Sequence, residues 1–375
     1  MWTSEGSRKS KVEESKARKK QQETFSFDRV QQRSTIQGAF PFRLLPSARH
    51  CPTPDTRHLT PAFCLLLSAW FLLPAAYCLP PARGLYEVRE VKPNIFVWVP
   101  EDVLDQEGDP LFNRAGTAGF IITTEGVVVV NTTNTPFHAR ELLYEVRRRT
   151  DLPVRYVINT DSQGDHTLGN EVFVDQQATI LSTAAAQAEM RQYQQHMAQR
   201  LNEDENWRLQ ARMRGIHPTP ASETFEGEMS LRLGSQEFRL RSLGGGSSAG
   251  DAGVYLPGAK ILFLGHLFEN GYFPRLASSD VRRWIEILRE VESWDVETYV
   301  PGHGAPGDKQ QLAEFRQFLE WLVTEVQTRL QQGKSLNEVR RELNPAEIYR
   351  WRARDLAPRA VEAVYRQLIE TQPAR

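Results

Sequence analysis

The chain has 375 residues, 40% hydrophobic and 25% charged, which excludes a wholly disordered protein and allows one large domain or two ordinary ones of about 100–200 residues. Its net charge of -1 is a cancellation: residues 1–61 carry 12 Lys/Arg against 6 Asp/Glu, leaving 34 against 41 for the rest. An acidic body repels a polyanion, so no nucleic-acid partner is expected.

Residues 1–61 combine clustered charge, including the run KARKK, with few aliphatics. Such a segment cannot bury enough apolar surface to offset its ordering entropy, and a disordered basic head is expected. Ala62 to Ala76, AFCLLLSAWFLLPAA, is uncharged, has Arg57 before it and YCLPPARG after it. A short apolar run with a basic flank reads as a signal peptide over 62–81, or as an uncleaved anchor with a cytoplasmic tail. The first reading gives an exported protein, periplasmic or extracellular; the second gives a membrane-anchored one, and only then a membrane partner. Cys51, Cys64 and Cys78 all lie in this region, so the body has no thiolate to offer as nucleophile or metal ligand.

The body opens with LYEVREVKPNIFVWVP, whose alternating Val88, Val91, Ile95, Val97 and Val99 predict paired strands. AGFIITTEGVVVVN predicts a hairpin turning at Thr124-Glu125-Gly126, and TPFHARELLYEVRRRT a helix with Pro136 at its first position. Strands PVRYVIN and ATILST follow, then a long polar helical stretch from Ala184, expected with its return loop to cover one sheet edge. Strands MSLRLG, EFRLRSL, AGVYLP and AKILFLG come next, with a glycine-rich loop GGGSSAGD among them, then a helix SDVRRWIEILREVESW and a strand VETYVPG. Two halves of several strands closed by a helix predict sheets packed together with helices outside, an α+β architecture. Residues 82–330 are taken as the domain and 331–375 as a helical extension, with a Ser335/Glu338 capping box. Trp321, Trp351 and Tyr365 would pack on the domain or form a dimer surface, and the oligomeric state stays open.

Of eight histidines, His50 and His58 lie in the head and His138, His196 and His217 in polar contexts that predict surface positions. The other three share a setting: His166 follows VRYVIN by a short loop, His266 follows ILFLG directly, and His303 follows ETYVPG. Residues just past strand ends tend to share the sheet edge where sites are built. Asp165 precedes His166, so Asp165, His166, His266 and His303 form a candidate ligand set for one divalent metal, Zn²⁺ first, with Fe or Mn also compatible. The alternative is that Gly164-Asp165-His166 is a turn, with Asp165 capping backbone and His166 packed.

These residues resemble the metallo-β-lactamase-fold hydrolases. NTDSQGDHTLGN resembles the family's first metal loop, usually H-x-H-x-D-H, and the likeness continues through GGGSSAGD, ILFLGH, NGYFP and VPGHGAP over about residues 86–330. It implies an αββα sandwich with the site at one edge of its sheets. The family's ligand positions carry over unevenly. Asp161 and Gln163 stand where the loop's two leading histidines do, Ser247 where the middle histidine does, His266 at the bridging aspartate and Asn131 at the aspartate that ends the early strand, whereas Asp165, His166 and His303 match. The departures fall on one of the family's two metals, which implies a mononuclear site.

A cation at this site would acidify water towards a pKa of about 7 and polarise an ester, amide or phosphoester of a small substrate. Asp161 is the candidate general base. If His266 does ligate, turnover needs a five-coordinate centre. The competing expectation is a catalytically inactive binding or scaffold protein of the same fold. A third, Ser247 as nucleophile with a histidine base, requires the two to be neighbours.

Overall fold

A computed structural model describes residues 86–101, 115–201, 215–277, 279–343 and 345–370. The basic head, the apolar segment and residues 202–214 of the expected cover lie outside the described residues.

A seven-stranded sheet runs in chain order: β1 Tyr86–Lys92, β2 Ile95–Pro100, β3 Ala118–Ile122, β4 Val127–Val130, β5 Val154–Ile158, β6 Thr179–Thr183 and β7 Glu223–Phe225. β1 to β4 pair antiparallel, and β4 to β7 parallel. A five-stranded sheet has the order β12-β11-β10-β9-β8, from β8 Glu228–Leu233, β9 Gln236–Ser242, β10 Ala252–Leu256, β11 Ile261–Glu269 and β12 Thr298–His303. The expected strand pairs and the hairpin at Thr124-Glu125-Gly126 form, whereas the three-residue β7 lies in the stretch expected as cover and loop. Three residues are too few for their alternation to show in a sequence.

Period-two burial explains how the sheets stack. Ile95, Val97, Ile121, Val128, Val130 and Ile158 face Phe238, Leu240, Val254, Leu256, Phe263 and Val300 in one cluster between the sheets. The alternate residues Phe96, Trp98, Phe120, Val127 and Val129 turn outward onto helix α1, Pro136–Arg147, and helix α3, Asn170–Val174. Thr135 caps α1 by accepting from the His138 amide, with Pro136 in the first turn as expected. Between β5 and α3 lies the one-turn helix α2, Gly164–Thr167, and after β6 comes α4, Ala184–Leu201.

On the other flank, α5 Val281–Glu292 and α6 Lys309–Gln331 cover the second sheet through Leu262, Leu264, Trp284, Leu288, Phe315 and Leu322. The layers are therefore α, β, β, α, the sandwich implied by the resemblance. The segment expected as an extension shares this flank: α7 Leu336–Glu342, α8 Pro345–Tyr349, the turn after it and α9 Ala357–Glu370 place Val339, Trp351, Val361 and Val364 in the same cluster as Trp284. Trp321 and Tyr365 pack against it, partly buried. The Glu338 carboxylate accepts from the Ser335 amide at 2.8 Å, as the capping box predicts.

Candidate metal centre

The parallel pairs β4–β5 and β11–β12 bring the carboxyl ends of their strands to one edge of the sandwich. Asp161 leaves β5 in a loop, α2 presents Asp165 and His166, His266 lies within β11, and His303 ends β12. Two glycines make the convergence possible. A Cβ on Gly116 would stand 2.0 Å from His166 Cδ2, and one on Gly265, at φ +52°, would stand 2.6 Å from Asp161 Oδ2. Both approaches are closer than any side chain allows.

All five residues are buried. Their ligating atoms form two groups, each with its atoms within 4.8 Å of one another: Asp161, His166 and His266, and Asp165, His266 and His303. The four residues expected as one ligand set are thus divided, with His266 common to both groups.

In the first group hydrogen bonds close on each other. Asp161 Oδ2 lies 2.6 Å from His166 Nδ1, 3.3 Å from His266 Nδ1 and 3.0 Å from the Thr160 hydroxyl, and its Oδ1 accepts from the Gln163 amide at 2.9 Å. His166 Nε2 donates to the Gly302 carbonyl at 3.2 Å, so both its ring nitrogens are engaged. Burial alone would raise the Asp161 carboxyl, but His166 and His266 hold it well below the usual carboxylate range.

The second group is open. Asp165 Oδ2 lies 3.0 Å from His303 Nε2, 3.3 Å from His266 Nε2 and 3.7 Å from Arg275 Nη2, while its Oδ1, buried, has no hydrogen-bond partner. Burial raises this carboxyl too, but His266 and Arg275 hold it well below the usual range. Burial lowers His266, yet Asp165 and Asp161 on its two sides raise it well above the usual imidazole range. Burial also pushes His303 down to about 4. Desolvated carboxylates around two imidazoles, with a carboxylate oxygen left over, make a donor set that fits a divalent cation.

Sequence reasoning missed two neighbours. Glu269, at the end of β11 and buried, has Oε1 4.0 Å from His266 Nε2 and an unpartnered Oε2; burial pushes its carboxyl up to about 8. Arg275, with a side chain 34% exposed, links Asp165 to solvent. Ser247 makes no triad-like contact: its Oγ donates to Asp251 Oδ1 at 2.6 Å, and the Ser248 hydroxyl to the same oxygen at 2.8 Å. Asp251 is pushed up to about 6 by burial, with the Asp161 charge adding to it. Asn131, at φ +61°, exchanges hydrogen bonds with Thr160 beneath the site. His196 and His217 are exposed, the latter 2.8 Å from Glu171, and His138 is half-buried beside Asn134.

A family model for the metallo-beta-lactamase superfamily matches residues 111–303, more than half of the chain. The chain belongs to that superfamily. Among solved structures, a metallo-beta-lactamase from Pontibacter korlensis aligns with a TM-score of 0.50 at 20% identity, over 63% of this chain and 99% of that one. The sec-alkylsulfatase Pisa1 from Pseudomonas sp. aligns with a TM-score of 0.55 at 16% identity, over 76% of this chain and 51% of that one. At these identities the likeness is one of fold. No curated protein matches the chain.

Proposed function

We propose that this protein is a metal-dependent hydrolase with a single divalent cation, Zn²⁺ first with Fe or Mn also compatible, held by Asp165, His266 and His303. The observation that carries this reading is the buried Asp165 carboxylate, whose Oδ2 faces two imidazole nitrogens while its Oδ1 has no partner. When bound, the cation supplies Lewis acidity and readily deprotonated water for a small ester, amide or phosphoester substrate. Asp161 accepts from His266 Nδ1 and so fixes the tautomer that leaves Nε2 facing Asp165. The general-base role expected of Asp161 sits poorly with a carboxylate that already takes four hydrogen bonds and is held low, so this reading makes it a positioning residue. His166, expected among the ligands, braces Asp161 against the β12 backbone. Arg275, at the solvent side, orients a substrate oxygen or balances the carboxylates. Export rests on the apolar sequence at 62–76; among the described residues no helix is long and apolar enough to cross a membrane.

The test is elemental analysis of the full chain purified without chelator or histidine tag, with a screen of ester, amide and phosphoester reporters. About one metal per chain, with hydrolysis lost on chelation and restored by metal, is expected. Absence of metal after Zn²⁺, Fe²⁺ and Mn²⁺ are each offered would overturn the reading. A non-catalytic binding protein is favoured by one observation, the hydrogen bonds by which His166 and His266 engage the Asp161 carboxylate. It predicts no thermal shift on adding Zn²⁺.

A further inference from the structure

We propose that Glu269 is a fourth protein ligand of the cation held by Asp165, His266 and His303, an inference that rests on the metal reading above. His266 stands where the family resemblance implies a bridging aspartate. That exchange replaces a carboxylate with an imidazole, and the structure brings another carboxylate, that of Glu269, within 4.0 Å of this imidazole from three residues further along the strand.

The backbone explains how. Gly265 takes a left-handed conformation, and β11 loses its regular register against β12 between Phe263 and Gly265 and again between Gly265 and Glu269. In a regular strand residues 266 and 269 would face opposite sides. Here the irregularity re-aims Glu269, whose Cα pairs with that of His303 and whose Oε1 comes 4.0 Å from His266 Nε2. Glu269 is 2% exposed, and its Oε2 has no hydrogen-bond partner. Asp165, whose Oδ2 faces the same imidazole at 3.3 Å, carries the other unpartnered carboxylate oxygen, Oδ1. A buried carboxylate oxygen without a donor costs on the order of 1–3 kcal/mol or more. Glu269 stands outside the groups whose ligating atoms lie within 4.8 Å of one another, so it reaches the cation by turning its side chain, and one cation then relieves both oxygens.

The resulting set has two imidazole nitrogens and two carboxylates. It is harder than the histidine-dominated sets that the family usually carries, and it suits Mn²⁺ and Fe²⁺ as well as Zn²⁺. Glu269 therefore matters most for the harder ions.

The experiment titrates the chelator-stripped full chain with Zn²⁺ and with Mn²⁺, for the parent, Glu269→Gln, Glu269→Asp and Asp165→Asn. Glu269→Gln should weaken Mn²⁺ at least about tenfold and Zn²⁺ by less, with Glu269→Asp between it and the parent. The visible absorption of the Co²⁺-loaded protein should also change in Glu269→Gln. Unchanged affinities and an unchanged Co²⁺ spectrum in Glu269→Gln, with binding strongly weakened in Asp165→Asn, would remove Glu269 from the ligand set and leave the metal reading standing. A parent that takes up none of the three ions overturns both.

Discussion

The two halves of the site are built from the same residue types and behave differently. Around Asp161 each donor has an acceptor: His166, His266, Thr160 and the Gln163 amide converge on one carboxylate, and His166 reaches across to β12. Around Asp165 the count does not close, because Asp165 Oδ1 and Glu269 Oε2 are buried without donors. A closed network rigidifies; an open one leaves a carboxylate oxygen to which a cation can be proposed. His266 belongs to both, so the first half can fix the ring that the second half uses.

Substitutions should separate the halves. The largest expected effect is on metal: Asp165→Asn and His303→Ala should each weaken Zn²⁺ binding roughly several-hundredfold, about one ligand's share of a structural site's 10–16 kcal/mol, whereas Asp161→Asn should cost only about tenfold. Equal losses at Asp161 and Asp165, read by calorimetric titration, would erase the distinction. The next effect is on stability and runs the other way. Asp161→Ala strands two buried histidines and should cost about 3–5 kcal/mol, a fall in melting temperature of roughly 10 °C. A shift under about 2 °C would mean the Asp161 network is not a brace.

Gly116→Ala is a smaller perturbation of that half, since its Cβ would have to push back His166. About 1–3 kcal/mol of destabilisation is expected in denaturant melts, with some loss of Zn²⁺ affinity because the same Cβ would also press on the Asp165 carbonyl. The last is a pH effect at Asp251, of similar size to that of Gly116→Ala and confined to acid. The folded Asp251 carboxyl, raised to about 6, keeps a proton that the unfolded chain, at 3.8, has released. Its contribution to stability is therefore greatest below pH 3.8, declines as pH rises to about 6, and is flat above. On the order of 2–3 kcal/mol should be lost across that window relative to Asp251→Asn. Parallel stability curves for the two metal-free proteins between pH 4 and 6 would contradict the burial argument.

Much of the scaffold is legible in the sequence because it rests on periodicity. Val97, Val128 and Phe263 face inward and Phe96, Val127 and Leu262 outward by alternation alone, and Thr135-Pro136 and Ser335/Glu338 mark helix starts. The convergence of His166, His266 and His303 is legible for the same reason, each lying at or near the end of an apolar run. The division of the ligand set is not, because it depends on which nitrogen of His166 meets Asp161 and which meets Gly302. Glu269 is hidden by the irregular β11, where alternation assigns it to the wrong side. The helices after residue 331 look separable in sequence because nothing in their own pattern names Trp284 and Phe315 as neighbours, yet Trp351 packs against Phe315 at 6.0 Å between ring centroids.

The most direct test of a binding half supported by a bracing half is calorimetric titration of Zn²⁺ into the chelator-stripped full chain, run on the parent, Asp161→Asn and Asp165→Asn. One site in the parent, the same site about tenfold weaker in Asp161→Asn and roughly several-hundredfold weaker in Asp165→Asn, is the predicted result. No binding by the parent, or equally complete loss in both variants, would contradict it.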